Sequence, residues 1–288
     1  MSLKVWIDGR LMDKADAKVS VYDHGLLYGD GVFEGIRLYH GKVFEADAHL
    51  RRLFDSAKSI RLTIPFAPEQ LKSAIQETAK ANNFADCYVR LVVTRGVGYL
   101  GLNPNKCSSP SVFIITDTIE MYPKEVYEKG MAVITSSYIR NHPGAMSARV
   151  KSLNYLNSIL AKIEAADAGV PEAIMLNHLG NVAECTADNL FVVKFGKVLT
   201  PTITDGILEG VTRQVILDLC RNLAIPCGEH TLQRHDLYIA DECFLTGTGA
   251  EVVPVTKIDG RQVGSGQPGK ITRRLIDAFR TYIRESAK

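Results

Sequence analysis

The chain has 288 residues, with 34 lysines and arginines against 32 aspartates and glutamates, which leaves a formal net charge of +2. This balance gives no electrostatic reason to expect nucleic acid or an anionic membrane surface as a partner. Hydrophobic residues make up 46% and charged residues 23% of the sequence, a composition typical of globular proteins and unlike that of disordered, collagenous or coiled-coil chains.

The first third of the sequence predicts strands, then two helices, then further strands. A hairpin is predicted over 36–44, with His40-Gly41 at its turn. Apolar residues at helical spacing over Leu50–Ala57 predict a helix with Asp47 as its N-cap, and the same period over Leu71–Ala79 predicts a second helix. Runs rich in Val, Ile and Phe predict two more strands, at Tyr88–Thr94 and Ser111–Thr116.

A polar, charged segment around Pro123 interrupts this pattern. A chain of this length is expected to form about two domains. We therefore predict a small N-terminal α/β domain at 1–119, an interdomain linker at 120–129 and a larger domain at 130–288.

The second half also mixes helices and strands. A strand is predicted at Met131–Ser136, and apolar residues at Leu156, Ile159, Leu160 and Ile163 mark a helix. Further periodic segments predict a helix over Ile216–Leu223, a strand pair over Glu242–Val255 and a C-terminal amphipathic helix over Ile271–Tyr282. The fold class is therefore mixed α and β.

The cysteines indicate the compartment. There are six, widely scattered, with no C-x-x-C pair and no histidine cluster at zinc spacing, which predicts reduced thiols and no metal site. The N-terminal residues run into a strand pattern and lack the apolar core of a signal peptide. No apolar run approaches the ~18 residues that a membrane span needs. A cytoplasmic protein is expected.

One glycine motif resembles a nicotinamide-nucleotide site. Gly96–Gly101 matches G-x-G-x-x-G and follows a predicted strand. A dinucleotide site also needs a helix directly after the glycines, because the helix N-terminus holds the pyrophosphate. The next residues, Leu102–Pro110, are rich in proline and small polar residues and predict a loop. A nicotinamide-dependent oxidoreductase therefore stays only a remote alternative.

Two segments of the second half could bind an anion. Leu208–Arg213 lies where a helix is expected to begin, so the amides of Val211 and Thr212 could point at a phosphate. The ordinary alternative is a plain helix start after a glycine turn. Leu245–Glu251 is a strand and turn whose glycines, Gly247 and Gly249, allow backbone amides to approach a ligand. Its alternative is an ordinary tight turn.

Lys151 and Glu184 are the candidates for chemistry. Lys151 lies just before the helix that carries Leu156, where the positive end of the helix dipole disfavours a protonated amine. An unprotonated, partly buried lysine is what Schiff-base chemistry requires. Glu184, next to the strand predicted at Leu190–Val193, could be a buried carboxylate facing a cation. For both residues the ordinary alternative is a solvated surface side chain.

Taken together, these segments resemble the class IV aminotransferases, the fold type IV pyridoxal-phosphate enzymes, and most of all the branched-chain amino-acid aminotransferases. The similarity extends over nearly the whole chain, in order. It rests on seven strings, at 28–35, 49–57, 88–90, 151–156, 184–191, 210–213 and 246–251. The resemblance implies a two-domain D-amino-acid-aminotransferase-like fold, with a smaller N-terminal α/β domain and a larger C-terminal domain containing a pseudo-barrel.

The resemblance also implies the catalytic roles. Lys151 would form the internal aldimine with pyridoxal 5'-phosphate and then carry the proton between the α-carbon of the amino acid and C4′ of the cofactor. Glu184 would keep the pyridine nitrogen protonated, so that the ring acts as an electron sink. Tyr155 would hydrogen-bond the hydroxyl group of the ring.

The remaining implied contacts hold the phosphate and the substrates. Arg52, Gly247 and the amides of Val211, Thr212 and Thr248 would bind the cofactor, mainly through its phosphate. On the helical wheel, however, Arg52 falls opposite the apolar stripe of its helix, which predicts a solvated side chain.

The substrate residues follow from the same resemblance. Tyr88, Arg90 and the amide of Gly249 would contact the substrate carboxylate and 2-oxoglutarate. Tyr28 and Phe33 would help to form the side-chain pocket.

Related activities share this scaffold. D-amino-acid aminotransferases carry an Arg-x-His carboxylate trap where this chain reads Tyr99–Leu102. Their Lys-Ser-Leu-Asn string, however, matches the spacing from Lys151 to Tyr155, which is one residue shorter than in some branched-chain enzymes. Aminodeoxychorismate lyase keeps the lysine but eliminates pyruvate.

We therefore predict transfer of the amino group between L-leucine, L-isoleucine or L-valine and 2-oxoglutarate, in a ping-pong cycle that belongs to branched-chain amino-acid biosynthesis. A D-amino-acid aminotransferase or a lyase is the alternative, and a binding module without activity is a further one. The family also implies at least a homodimer.

Overall fold

The computed structural model describes residues 2–286, which form two compact units. The first unit comprises the described residues up to Ile119, the segment Val150–Asn154 and Ser286. The second unit comprises Glu120–Arg149 and Tyr155–Glu285.

This division differs from the predicted domains in two places. The predicted linker, 120–129, belongs to the second unit, because it forms a helix at Lys124–Lys129 and contributes the buried Tyr122 to that unit's core. Val150–Asn154, predicted in the larger domain, belongs to the first unit, and Val150 packs against the first core.

The first unit is an antiparallel sheet whose two longer helices share one core with it. Among the described residues its strands lie in the order β2-β1-β6-β5-β3-β4. The strands are β1 Lys4–Ile7, β2 Arg10–Asp13, β3 Gly31–Tyr39, β4 Lys42–Val43, β5 Cys87–Thr94 and β6 Ser111–Asp117, and the helices are α1 His24–Tyr28, α2 Ala46–Ser59 and α3 Pro68–Ala81. Leu50 and Leu53 of α2 and Leu71 and Ile75 of α3 are buried in one core with the strands, as their helical spacing predicts.

Local signals predict most of this unit correctly. The hairpin is confirmed, with Leu38 paired to Val43 and positive φ angles at His40 and Gly41 in its turn. The predicted N-cap of α2 is wrong by two residues, because Glu45, with a φ of 47°, is the cap and Asp47 lies in the first turn. A carboxylate in the first turn still interacts favourably with the helix dipole.

The second unit is a larger sheet that curls back on itself. Its strand order among the described residues is β12-β11-β10-β13-β14-β7-β8-β9, with β15 paired to β14. The strands are β7 Met131–Thr135, β8 Glu172–Leu176, β9 Val182–Cys185, β10 Asn189–Lys194, β11 Lys197–Thr200, β12 Cys227–Glu229, β13 Glu242–Gly247, β14 Glu251–Ile258 and β15 Arg261–Gln262. The helices are α4 Lys124–Lys129, α5 Leu156–Asp167, α6 Val211–Asn222, α7 Arg234–Tyr238 and α8 Lys270–Ser286.

The curl follows from one tight turn. β9 is last in the strand order, yet a turn of three residues joins it to β10, and the Cys185 N–H donates to the Asp188 carbonyl at 2.8 Å. The end strand therefore lies beside an interior strand, as in the predicted pseudo-barrel.

Helix α5 is present as predicted, but its larger apolar side chains do not face the core. Leu156, Ile159 and Ile163 are 67%, 51% and 51% exposed. The buried residues of α5 are small, Ser158, Ala161 and Ala165, and they pack on β8, whose five residues are all buried. Small side chains allow this close approach of helix and sheet.

Three further observations concern membrane-spanning helices, the cysteines and other potential metal ligands, and the glycine motif. Within 2–286, no helix is both long enough and apolar enough to cross a bilayer. In the same residues the six cysteines are free thiols, and no three potential metal ligands cluster. Gly96–Gly101 leads to a single 3-10 turn at Pro104–Lys106 and so lacks the helix that a dinucleotide site requires.

Candidate active site

Lys151 is placed by strand pairing. β4 pairs with the C-terminal end of β3, at Leu38 and Tyr39. The segment Val150–Asn154 runs along the same edge of β3 at its N-terminal end. The Phe33 N–H donates to the Lys151 carbonyl and the Leu153 N–H donates to the Gly31 carbonyl, both at 3.0 Å. The Lys151 N–H donates to Ser56 Oγ at 3.1 Å. The backbone of Lys151 is therefore anchored in the first unit.

The side chain of Lys151 lies over an aromatic ring. Its Nζ is 4.7 Å from the centroid of the Phe33 ring, a distance at which the ring face attracts a cation. The helix-dipole argument from the sequence has little bearing here, because α5 begins only at Leu156, with Tyr155 as its N-cap. The cationic residue two positions before Lys151 in the sequence, Arg149, forms an ion pair with Glu209, and both of these residues belong to the second unit.

Arg52 is held by a buried carboxylate. Its Nε donates to Glu34 Oε1 and its Nη2 donates to Glu34 Oε2, each at 2.7 Å. His49 Nδ1 lies 2.7 Å from the same Oε2. The side chains of Glu34 and His49 are fully buried and that of Arg52 is 13% exposed. The helical-wheel expectation of a solvated Arg52 is therefore wrong, because Glu34 on β3 draws the guanidinium toward the sheet.

Electrostatics keep Glu34 charged despite its burial. Burial alone would raise the pKa of Glu34, but the charges of Arg52 and His49 and their hydrogen bonds lower it from 4.5 to about 2. Burial is the largest influence on His49 and lowers its pKa, although Glu34 acts in the opposite direction. Sequence reasoning assigned no role to Glu34 or His49. The available signal was a glutamate among apolar residues and glycines over 31–36.

The other face of the sheet carries the candidate substrate residues. The Arg90 guanidinium lies 4.5 Å from the centroid of the Phe33 ring and 5.5 Å from that of Tyr88. Gly35 pairs with Arg90 in register, and a Cβ on Gly35 would overlap the Tyr88 hydroxyl, so the glycine makes room for the phenol. Within residues 2–286 no carboxylate forms an ion pair with Arg90, which leaves its charge for a ligand.

Tyr28 is the remaining candidate substrate residue. It is on the short helix α1, where its ring meets the His24 ring edge-on at 5.0 Å. The ring is partly exposed.

Glu184 in the second unit is a buried carboxylate with a cationic partner. Arg140 Nη2 lies 2.7 Å from its Oε1, and Asn189 Nδ2 and the Leu208 N–H both donate to Oε2 at 3.1 Å. These donors stabilise the ionised form. The solvated alternative for Glu184 is therefore wrong. Sequence reasoning missed Arg140, which comes from a loop far from Glu184 in the chain.

The two anion-binding segments meet in the second unit. Helix α6 begins after Gly210 with no side chain capping its amides, so the N–H groups of Val211 and Thr212 are not used by a side-chain cap. Thr212 Oγ1 lies 3.4 Å from Thr248 Oγ1, in the turn between β13 and β14. An uncapped helix start beside two hydroxyl groups is a donor set that suits a phosphate.

Glycines are required in both segments for steric reasons. A Cβ on Gly247 would overlap Asp188 Oδ1, and a Cβ on Gly210 would overlap Asn189 Oδ1. Gly249 lies in the same turn as Thr248.

The known proteins that are similar to this chain are aminotransferases. The profile of the family "Amino-transferase class IV" matches residues 31–258. A putative branched-chain-amino-acid aminotransferase of Methanocaldococcus jannaschii is 50% identical over 278 residues, 96% of each chain. A D-alanine aminotransferase of Bacillus licheniformis is 36% identical over 287 residues, 99% of each chain.

The fold is also found in solved structures. The crystal structure of the Escherichia coli branched-chain amino acid aminotransferase superimposes with a TM-score of 0.95 at 37% identity. The match covers 98% of this chain and 95% of that one.

Proposed function

We propose that this chain, which belongs to the class IV aminotransferases, transfers the amino group between branched-chain L-amino acids and 2-oxoglutarate. The observation that carries the proposal is the 50% identity, over 96% of the chain, to a relative named as a putative branched-chain-amino-acid aminotransferase. Pyridoxal 5'-phosphate is the cofactor of this family, and it supplies an aldehyde that reacts with amines and a ring that withdraws electrons.

Lys151 is the residue that we propose to hold the cofactor covalently and to move the proton. Its Nζ takes the proton from the α-carbon of the amino acid, so it must be mobile while its backbone stays fixed. The hydrogen bonds of the Lys151 backbone to Phe33 and Ser56 provide that fixed base. The Phe33 ring beneath Nζ stabilises the amine when it carries the proton.

Glu184 is proposed to hold a proton on the pyridine nitrogen. Arg140 favours the ionised carboxylate, and Asn189 orients it. An anion in a buried site attracts a proton on a neighbouring ring nitrogen more strongly than it would in water. Tyr155 is proposed to donate to the hydroxyl group of the ring.

The cofactor phosphate is proposed to bind Arg52, Gly247 and the donors of Val211, Thr212 and Thr248. The uncapped start of α6 supports this assignment.

The substrate is proposed to bind through its carboxylate to Arg90, Tyr88 and the amide of Gly249. Phe33 and Tyr28 would line the pocket for its side chain. The apolar Phe33 ring beside the Arg90 charge fits a ligand with a carboxylate and a branched aliphatic side chain.

The proposal is tested by locating the amine that reacts. We expect the purified protein to show a visible absorbance that borohydride removes, and peptide mapping to find the reduced adduct on Lys151. Lys151→Ala is expected to lose at least about 1,000-fold in turnover, since a nucleophile that acts in every cycle is removed. An adduct on another lysine, or wild-type turnover by the variant, would contradict the assignment.

The substrate class is tested by half-reactions. L-leucine is expected to bleach the absorbance within one turnover and D-alanine is not. Conversion by D-alanine alone would favour the D-amino-acid alternative, which the Bacillus licheniformis relative supports. Release of pyruvate without transfer of nitrogen would indicate a lyase.

We also propose a homodimer in a cytoplasmic setting. Val21, Leu26, Leu100 and Leu102 of the first unit are strongly exposed, and such apolar surface is uncommon on monomers. The His24 ring contacts the Tyr99 carbonyl at 2.9 Å and joins α1 to the 97–102 loop in one surface. The free thiols are consistent with a reducing compartment.

A further inference from the structure

The hydrophobic core of the first unit contains two polar side chains whose burial needs a reason. Glu34 and His49 are fully buried, among apolar neighbours such as Ile36, Leu50 and Leu53. Apolar residues of similar size would often stabilise such a core at least as well as a buried ion pair. The arrangement of Glu34 and His49 around Arg52 therefore points to a purpose other than stability.

Glu34 determines the orientation of the Arg52 guanidinium. Two parallel hydrogen bonds of 2.7 Å join the group to the two carboxylate oxygens. A bidentate pair of this kind fixes the plane of the guanidinium as well as its position. The Arg52 side chain is 13% exposed while its partner is fully buried, so the pair presents only the arginine to solvent.

His49 in turn orients Glu34. A carboxylate only accepts hydrogen bonds, so the His49 Nδ1 must carry a proton and donate it to Oε2 over 2.7 Å. Burial lowers the pKa of His49, and the charge and hydrogen bond of Glu34 act in the opposite direction. His49 and Arg52 lie three residues apart on one face of α2 and grip the same carboxylate.

The backbone of Lys151 is attached to the same helix. Its N–H donates to Ser56 Oγ at 3.1 Å, and Ser56, like His49 and Arg52, lies on α2. The candidate phosphate ligand and the candidate amine therefore belong to one unit and are both held by one helix.

We propose that Glu34 and His49 are positioning residues, which hold the guanidinium of Arg52 in the orientation that binds the cofactor's phosphate relative to the amine of Lys151. The proposal rests on the proposed function, in which Lys151 reacts with the aldehyde and Arg52 binds the phosphate. Neither Glu34 nor His49 needs to touch the cofactor. Their effect should appear in how much more tightly the protein binds an aldehyde that carries the phosphate group than one that lacks it.

The test compares two aldehydes that differ only in the phosphate. The full-length protein, freed of cofactor, is titrated with pyridoxal 5'-phosphate and with pyridoxal, and the visible absorbance of the lysine adduct gives each dissociation constant. In Glu34→Gln the dissociation constant for pyridoxal phosphate is expected to rise about 10- to 100-fold, the range typical of residues that orient a ligating group. That for pyridoxal is expected to change less than about threefold.

A matched control is available in the same unit. Asp30 holds Arg95 by the same bidentate geometry, at 2.9 Å for each bond, but Arg95 also donates to the carbonyls of Ile60 and Arg61 and is therefore structural. Asp30→Asn is expected to lower the melting temperature and to leave the ratio of the two dissociation constants unchanged. An equal change of that ratio in Asp30→Asn and Glu34→Gln would overturn the proposal.

Variants of His49 give an independent measurement if Glu34→Gln does not fold. His49→Phe keeps a ring but removes the donor, and it should weaken pyridoxal phosphate selectively. His49→Asn, which restores a donor close to the position of Nδ1, should recover part of the loss. If His49→Phe weakens both aldehydes equally, or if His49→Asn recovers nothing, the positioning role is wrong.

The proposed function and this inference fail in different ways. If neither aldehyde forms an adduct on Lys151 of the wild type, the proposed function fails. If both form adducts and the ratio of their dissociation constants is insensitive to Glu34→Gln, only the positioning role is refuted.

Discussion

Asp188 is a buried carboxyl group whose proton should affect the stability of the second unit. Burial, reinforced by the negative charge of Glu172, raises its pKa from 3.8 to about 7, and the Tyr122 hydroxyl lies 3.4 Å from Oδ2. The folded chain therefore holds this proton at pH values where the unfolded chain has released it. The stabilisation is complete below pH ~4 and is lost as the pH rises through about 7.

Asp188→Asn tests this residue-scale prediction. An amide has a similar shape and no proton to lose, so the variant should lack the decline. The free energy of unfolding by urea is measured for both cofactor-free proteins at pH 4.5 and at pH 8. Between these two pH values it should decrease by about 3 kcal/mol more in the wild type than in Asp188→Asn. Asp218→Asn, at an exposed carboxylate, should follow wild type. Parallel pH profiles for wild type and Asp188→Asn would contradict the prediction.

At the scale of elements, the start of α6 is coupled to Glu184 through Asn189. Asn189 Nδ2 donates to Glu184 Oε2 and to the Leu208 carbonyl, and its Oδ1 occupies the space that a Cβ on Gly210 would need. Gly210 has an ordinary φ of −70°, so alanine there would not strain the backbone. Its methyl group would displace the Asn189 amide instead.

We expect Gly210→Ala to lower the free energy of unfolding by about 1–3 kcal/mol, the usual cost of overpacking, and to weaken cofactor binding. Gly228→Ala is the control, because Gly228 lies in β12 with nothing within 4 Å of its Cβ position. It should stay within about 0.5 kcal/mol of wild type. Chemical unfolding of both variants measures this, and equal losses would show that the contact with Asn189 has no special effect.

At the scale of the whole molecule, we expect the exposed apolar side chains of the 97–102 loop to contribute to the interface of the proposed homodimer. Leu100 and Leu102 are 69% and 78% exposed. Replacing both with glutamate should raise the dissociation constant of a homodimer by about 100-fold or more, since charges would be buried at the interface. The folded unit should be unaffected, because neither side chain belongs to its core.

Sedimentation equilibrium of the double variant measures this effect. Phe195→Glu is the control, since Phe195 is 89% exposed in the turn between β10 and β11 and is a single apolar residue rather than part of a patch. A double variant that stays as associated as wild type would exclude this surface from the dimer interface.

The sequence by itself determined the elements and the family. The period of α2 and α3, the β3–β4 hairpin and the strands β5 and β6 are local patterns, and local sterics and side-chain periodicity are enough to produce them. The sequence also predicts the two anion-binding segments and the motif around Lys151, because their chemistry requires particular residue types within a short stretch.

Only the tertiary structure decided how distant residues are paired. The helical wheel of α2 predicts a solvated Arg52, because the wheel does not include Glu34, whose carboxylate on β3 binds the guanidinium. Arg140 reaches Glu184, and Val150–Asn154 joins the edge of β3, across long stretches of chain. The large side chains of α5 face outward because β8 accepts only its small ones. In each case the deciding free energy comes from contacts between segments, and a local period carries no information about which segment will supply the partner.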